Sequence, residues 1–216
     1  MRARSIAESR HTPRALSTPE KHLARADPRF AAIIEKAGPC TLAPQRTFEP
    51  FHALTRSICH QQLNGKAAET ILGRFKDRVG KGEWPAPAQV VKARLTSLRA
   101  CGLSRAKSLA LKDLAAKVLD GTVPPAKVLH TLGEEEIITR LTEVRGIGRW
   151  TAQMLLMFSL GRLDVLPVDD FGVRRGFSLL TRKKVMVSPK VLLAHGERWR
   201  PYRSVAAWYL WRVADT

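Results

Sequence analysis

Leu141-Thr142-Glu143-Val144-Arg145-Gly146-Ile147-Gly148-Arg149-Trp150-Thr151-Ala152, followed by Leu166-Pro167-Val168-Asp169-Asp170, decides how this chain is read. Gly146 and Gly148 flank one residue, so the backbone there can take positive φ and present successive N–H groups. Ahead of them Ile137, Ile138, Leu141 and Val144 recur at helical spacing, which predicts a helix over 134–144. Behind them a second helix is expected from Arg149 to about Leu160. Met154, Leu155, Met157, Phe158 and Leu160 make it apolar over most of its circumference, so burial is expected. The unit reads helix, hairpin, helix. Free N-terminal amides and a positive dipole end make such a unit an anion site that reads no base. Gly-x-Gly alone also fits a plain connector between two helices, so the weight falls on what comes next.

Val165-Leu166-Pro167-Val168 leads into Asp169-Asp170-Phe171-Gly172-Val173-Arg174-Arg175. Asp169 suits the N-cap of another helix, which places Asp170 in its first turn. One carboxylate satisfies the cap. A second beside an apolar approach costs desolvation and like-charge repulsion, and that strain points to use.

The 216 residues hold 37 Lys+Arg against 19 Asp+Glu, a formal net charge of +18. Such an excess repels itself without a polyanion partner, so nucleic acid is expected ahead of a membrane surface. Hydrophobic residues make up 44%, enough for a core in one domain or two closely packed lobes. No stretch approaches the ~20 continuous apolar residues needed to span a bilayer. Cys40, Cys59 and Cys101 are scattered, without the paired spacing of a zinc site or a disulfide scaffold, which fits a reducing compartment. None of the histidines has a spacing that suggests a metal or a nucleophilic triad.

Residues 1–18, with Arg2, Arg4, Arg10 and Arg14, read as a basic tail, either a disordered arm or a transit-like segment. Residues 19–216 read as the folded domain. Helices are expected over 19–36, 48–63, 65–79, 87–92, 95–101, 104–119, 167–181, 188–195 and 202–214, with a short one opened by Pro124-Pro125. Val185-Met186-Val187 is the only β-like run, too short and isolated for a sheet. The fold class is all-α. Cys101 to Lys107 faintly echoes the hairpin, as a second phosphate contact or as a simple loop.

The stretch 141–177 resembles the helix-hairpin-helix DNA glycosylases, and within them the alkylpurine branch, the 3-methyladenine DNA glycosylase II enzymes. Val-Arg-Gly-Ile-Gly-Arg-Trp-Thr-Ala (144–152) is similar to that branch's hairpin, and Val-Asp-Asp-Phe-Gly-Val-Arg-Arg-Gly-Phe (168–177) to its catalytic segment. Further similarity at 57–68 and from Trp199 through Trp211 extends the likeness over most of the chain beyond about Asp27. The resemblance implies two helical lobes around a cleft, in a compact form without the N-terminal β domain of larger members.

It also implies roles. Asp170 would be the catalytic carboxylate. Members that cleave the DNA backbone carry a lysine right after the hairpin's Gly-x-Gly-Arg; Trp150 stands there, which implies no lyase activity. The cysteine positions exclude the four-cysteine iron–sulfur cluster of other members. Gly146, Gly148, Arg149 and Thr151 would grip the DNA backbone, and the carbonyls of Thr142, Val144 and Ile147 would hold Na+ or K+. No cofactor is required. Gln62 would fill the stack vacated by a flipped base, with Leu63 as the alternative wedge and Asn64 at the minor groove; the plain alternative is a helix end with Leu63 in the core. Trp150 and Trp211, with Met154, Phe158 and Asp169, would form the base pocket, where cation–π attraction favours a cationic base. Phe158 and Trp208, which lie near these candidates, read first as ordinary core packing, and Met154 stands where the branch has a tyrosine.

The function so implied is monofunctional excision of alkylated purines from double-stranded DNA by a monomer, in the bacterial cytoplasm at the nucleoid or in a eukaryotic nucleus. Two alternatives stay open: a non-catalytic hairpin module that binds DNA, and a glycosylase for deaminated or mismatched bases.

Overall fold

A computed structural model of the chain describes residues 15–45 and 47–215. Among them the regular structure is helical: α1 (Thr18–Ala26), α2 (Arg29–Ala37), α3 (Pro50–His60), α4 (Gly65–Gly80), α5 (Pro87–Lys92), α6 (Leu95–Arg99), α7 (Arg105–Leu119), α8 (Ala126–Leu129), α9 (Glu134–Thr142), α10 (Arg149–Phe158), α11 (Phe171–Leu180), α12 (Pro189–Gly196) and α13 (Arg203–Ala214), with a 3-10 turn at Glu197–Trp199. No strand forms among the described residues, and Val185 to Val187 stay irregular. The basic tail expected over 1–18 lies, up to residue 14, outside the described residues.

Helices α1, α2, α11, α12 and α13 pack together, and α3 to α7 make a second group that α10 joins through α3 and α9 through α10. Trp150 and Phe158 of α10 reach, respectively, Asp170 at the start of α11 and Trp211 of α13. Leu23, Phe30, Ile34, Trp199 and Tyr209 are fully buried in the first group; Leu54, Ile58, Leu72, Phe75, Leu111 and Leu114 are buried in the second. One continuous apolar core runs through both.

The helix expected over 19–36 is two helices. Pro28 disfavours helical backbone at the residue before it, and Asp27 is extended (φ −149°, ψ 98°). That break buries the Asp27 side chain, which accepts hydrogen bonds from Arg29 at 2.7 and 2.6 Å and pairs with His195 Nε2 at 3.0 Å. Burial alone would push this carboxyl up; the Arg29 and His195 bonds outweigh it and hold the pKa at about 2.

The packing of α11 on α13 fixes the position of everything that follows. Gly176 lets the helices meet: a Cβ there would lie 1.9 Å from the carbonyl oxygen of Leu210. Gly172, one turn earlier on α11, faces Trp211 in the same way, with a Cβ falling 2.7 Å from its Cδ1.

Gly176→Ala is therefore expected to destabilise the protein by about 1–3 kcal/mol in urea denaturation; unchanged stability would contradict the close approach. Asp27→Asn is expected to cost about 1.5–3 kcal/mol at neutral pH. Because the folded pKa of Asp27 is depressed, its contribution is present above the unfolded value and fades as pH falls through 3.8 toward about 2. The gap between variant and parent should close over that window, and a gap independent of pH would refute the pairing.

Candidate active site

The hairpin joins α9 to α10 across residues 143–148. Val144 and Ile147 are buried and anchor it in the core. Gly146 has φ +79°, a left-handed conformation that suits glycine. Gly148 does not share it: at φ −98°, ψ 172° it is extended backbone open to any residue. The expectation of positive φ thus holds at one glycine only. A Cβ on Gly148 would meet nothing within 4 Å inside the protein, so the space it leaves is open to a ligand. As N-cap of α10, Gly148 has no side chain to satisfy the amides of the first turn.

Two of the expected DNA contacts look different in place. The Arg149 guanidinium is paired with Glu135 on α9, with Nη1 donating to Oε2 at 2.9 Å. Thr151 is buried, so only its backbone N–H, in the first turn of α10, is available to a phosphate. The Arg145 N–H donates to Asp113 Oδ2 at 2.7 Å, which ties the hairpin to α7.

Asp170, not Asp169, is the N-cap of α11, so the helix starts one residue later than expected and Asp169 lies ahead of it. Its Oδ1 accepts from the Val173 N–H at 2.8 Å and from the Trp211 indole Nε1–H at 2.8 Å. Its Oδ2 accepts from the Trp150 Nε1–H at 2.7 Å. Asp169 is exposed beside it and makes no side-chain hydrogen bond among the described residues. Asp170 follows a turn in which its own N–H donates to the Pro167 carbonyl at 3.1 Å. The loop leading there is locked from α13. Buried Ser204 donates to the Arg162 carbonyl at 2.7 Å and accepts from the Val165 N–H at 2.9 Å, and Arg203 grips Asp164 at 2.7 and 3.0 Å.

The aromatic residues divide. Trp211 stacks on Phe158, ring centroids 5.8 Å apart and planes 25° apart, and Phe158 is 41% exposed, so it is not core. Trp208 is core, with Arg212 lying 4.3 Å above its ring. Trp150 is 49% exposed. A cavity of about 680 Å³ lies against Trp150, Met154, Ser57, Gln61 and Lys107. A second of about 450 Å³ lies against Met154, Phe158, Ser57, His52 and Trp84. Met154 and Ser57 line both, and one Asp170-bonded indole, Trp150, lines the larger.

Between α3 and α4 the chain turns sharply. Gln62 has φ +57°, unusual for a residue with a side chain. Gln62 is exposed, Leu63 is 39% exposed rather than core, and the Asn64 side chain caps α4 by accepting from the Ala67 N–H at 2.9 Å. Gln61 reaches across to donate from Nε2 to the Gly146 carbonyl at 2.9 Å, which brings this turn beside the hairpin.

A family profile for HhH-GPD superfamily base excision DNA repair proteins matches residues 55–201. The chain belongs to this superfamily. The chain is similar to DNA-3-methyladenine glycosylase 1 of Schizosaccharomyces pombe, 37% identical over 97% of this chain and 92% of that protein. Among solved structures, the 3-methyladenine DNA glycosylase of the same yeast in complex with abasic DNA superposes with a TM-score of 0.79, covering 93% of this chain and 98% of that one at 37% identity. A DNA-3-methyladenine glycosidase of Bacillus halodurans gives 0.83 at 38% identity, with 93% and 90% covered. In this superfamily member the hairpin, the Asp170 carboxylate and the turn at Gln62 all lie within the matched span.

Sequence reading missed Gln61, Asp113, Gly172 and Ser204. Only Gly172 left a signal, a helix-disfavouring residue placed inside the first turn of a helix. The others act through contacts between residues far apart in the chain.

Gly148→Ala is expected to cost no more than about 1 kcal/mol of stability, as a poorer N-cap, and to weaken duplex DNA binding by the folded protein, read by fluorescence anisotropy, by ~1–2 kcal/mol, about tenfold. Full affinity in the variant would mean the hairpin is not the phosphate site.

Proposed function

We infer that the protein is a monofunctional DNA glycosylase that hydrolyses the N-glycosidic bond of alkylated purines such as 3-methyladenine and 7-methylguanine, as the first step of base excision repair. The observation that carries this reading is the Asp170 carboxylate, oriented by two indole N–H groups and a backbone amide in a chain of this superfamily.

A base within a duplex is out of reach, so the damaged nucleotide must be flipped. The Gly148 end of α10 would hold the adjacent phosphate, and Gln62 would fill the gap left in the stack, with Leu63 beside it. The alkylated base already carries positive charge. As the C1′–N bond breaks, its electron pair returns to the base and the charge passes to the sugar as an oxocarbenium ion. Asp170 opposes that charge across a short gap and accepts a hydrogen bond from the attacking water. Water adds to C1′ and its proton leaves, so the products are a neutral base and an abasic sugar in an intact strand. Trp150 offers no amine for a Schiff base, which supports hydrolysis without strand cleavage.

The stacked Trp211 and Phe158 present aromatic faces suited to a cationic base, with Met154 at the junction of the two cavities setting the shape. Na+ or K+ would sit on the carbonyls of Thr142, Val144 and Ile147, lending positive charge beside the phosphate. The Val144 carbonyl already accepts from the Ile147 N–H at 3.0 Å, while no backbone hydrogen bond reaches those of Thr142 and Ile147 among the described residues. Neutral carbonyl donors fit a singly charged ion.

The partner would be double-stranded DNA carrying alkylated purines, bound by a single copy of the chain in the nucleoid or nucleus. No described helix is long and apolar enough to cross a membrane.

Asp170→Asn is expected to lower release of 3-methyladenine and 7-methylguanine from methylated DNA by at least about 10²–10³-fold, with affinity for an abasic duplex nearly unchanged. Undiminished release would take the carboxylate out of the mechanism. If the parent protein releases no base at all, it is a DNA-binding hairpin module, and release confined to deaminated or mismatched bases would move the substrate class.

A further inference from the structure

The turn that carries Gln62 is held by a residue from another helix. Lys107, in the first turn of α7, sends its ammonium into the end of α3, where Nζ donates to the carbonyls of Cys59 at 2.9 Å and Gln61 at 2.6 Å. The carbonyl between them, on His60, is taken by the Leu63 N–H at 3.2 Å. Those last-turn carbonyls lack partners within α3, and a cation there also complements the negative end of the helix dipole. Burial lowers the pKa of Lys107, consistent with an ammonium drawn away from solvent. Gln61 then ties the same turn to the hairpin through its bond to the Gly146 carbonyl.

Gln62 itself occupies the left-handed position that ends many helices and is usually glycine. Glycine would adopt it without strain, so a residue with a side chain is held there at a cost of about 1 kcal/mol or more. The side chain is exposed and no hydrogen bond to it is found among the described residues. Its backbone is fixed on both sides, by Lys107 and Gln61 on one and by the Asn64 cap on the other. The side chain is presented on a rigid mount.

We propose that Lys107 and Gln61 are positioning residues that latch the Gln62 turn to the hairpin, so that phosphate capture and insertion of the wedge act on the DNA as one rigid unit. The proposal rests on the reading of Gln62 as the wedge. Insertion must offset unstacking of a few kcal/mol, and a turn that first had to be ordered would give up part of that gain.

The test uses a duplex with a stable abasic analogue and 2-aminopurine opposite it, whose fluorescence rises when the stack around it opens. Saturating parent protein should raise it, and Gln62→Ala should abolish the rise. Lys107→Met and Gln61→Leu are each expected to lose most of the rise at saturation and to dissociate about tenfold faster, with Lys107→Arg restoring part of it. Gln61→Leu touches only an exposed contact, so it carries the test if Lys107→Met folds poorly. A full rise in Gln62→Ala would overturn the wedge and the latch together. Loss in Gln62→Ala with a full rise in folded Lys107→Met or in Gln61→Leu would overturn the latch alone.

Discussion

Two indole N–H groups and one backbone amide converge on the carboxylate of Asp170, and most of the architecture can be traced to the need to bring those donors together. Trp150 comes from the hairpin helix, Trp211 from the last helix, and Val173 from the helix that Asp170 caps. Three elements distant in sequence therefore have to arrive with sub-ångström accuracy. The close crossing of α11 and α13 at Gly176, the fit of Trp211 over Gly172, and the lock of Ser204 and Arg203 on the approach loop each serve that convergence. A carboxylate so oriented needs no reorganisation when positive charge develops nearby, which is where a preorganised site gains over water.

Much of this was legible in the sequence because it is local. Helical periodicity located α4, α5, α7, α9 and α10 closely, and the hairpin was visible as two glycines between apolar helices. What escaped was set by geometry between distant segments. On paper Asp169 reads as the cap; the turn closed by the Asp170 N–H on Pro167 precedes the helix and leaves Asp170 as its cap instead. The roles of the tryptophans were half visible. Aromatic faces were anticipated, whereas the indole N–H groups aimed at Asp170 depend on how α10, α11 and α13 pack. Similarly, Gly146 and Gly148 look alike in a motif, yet one relieves backbone strain and the other leaves space for a ligand. The split of the first helix had a readable cause in Pro28, and the burial of Asp27 against His195 did not.

The strongly basic charge acts at longer range than any of these contacts. A net +18 draws the chain to a polyanion and is indifferent to sequence. On the proposed reading, selectivity would then come from the few ångströms around Asp170, where a flipped cationic base would meet the stacked rings of Trp211 and Phe158 and a single negative charge. Arg149, paired with Glu135, fits this division: even near the hairpin, part of the positive charge is spent on holding α9 and α10 together.

A catalytic role for Asp170 depends on where its oxygens lie relative to the sugar carbon under attack. A crystal structure of the protein on a duplex containing a pyrrolidine sugar, whose ring nitrogen carries the charge of the oxocarbenium ion, measures that directly. The expected result is an Asp170 oxygen within about 3–3.5 Å of the charged ring, with the sugar turned out of the helix. A flipped sugar bound far from Asp170, or facing a different carboxylate, would contradict a catalytic role for Asp170.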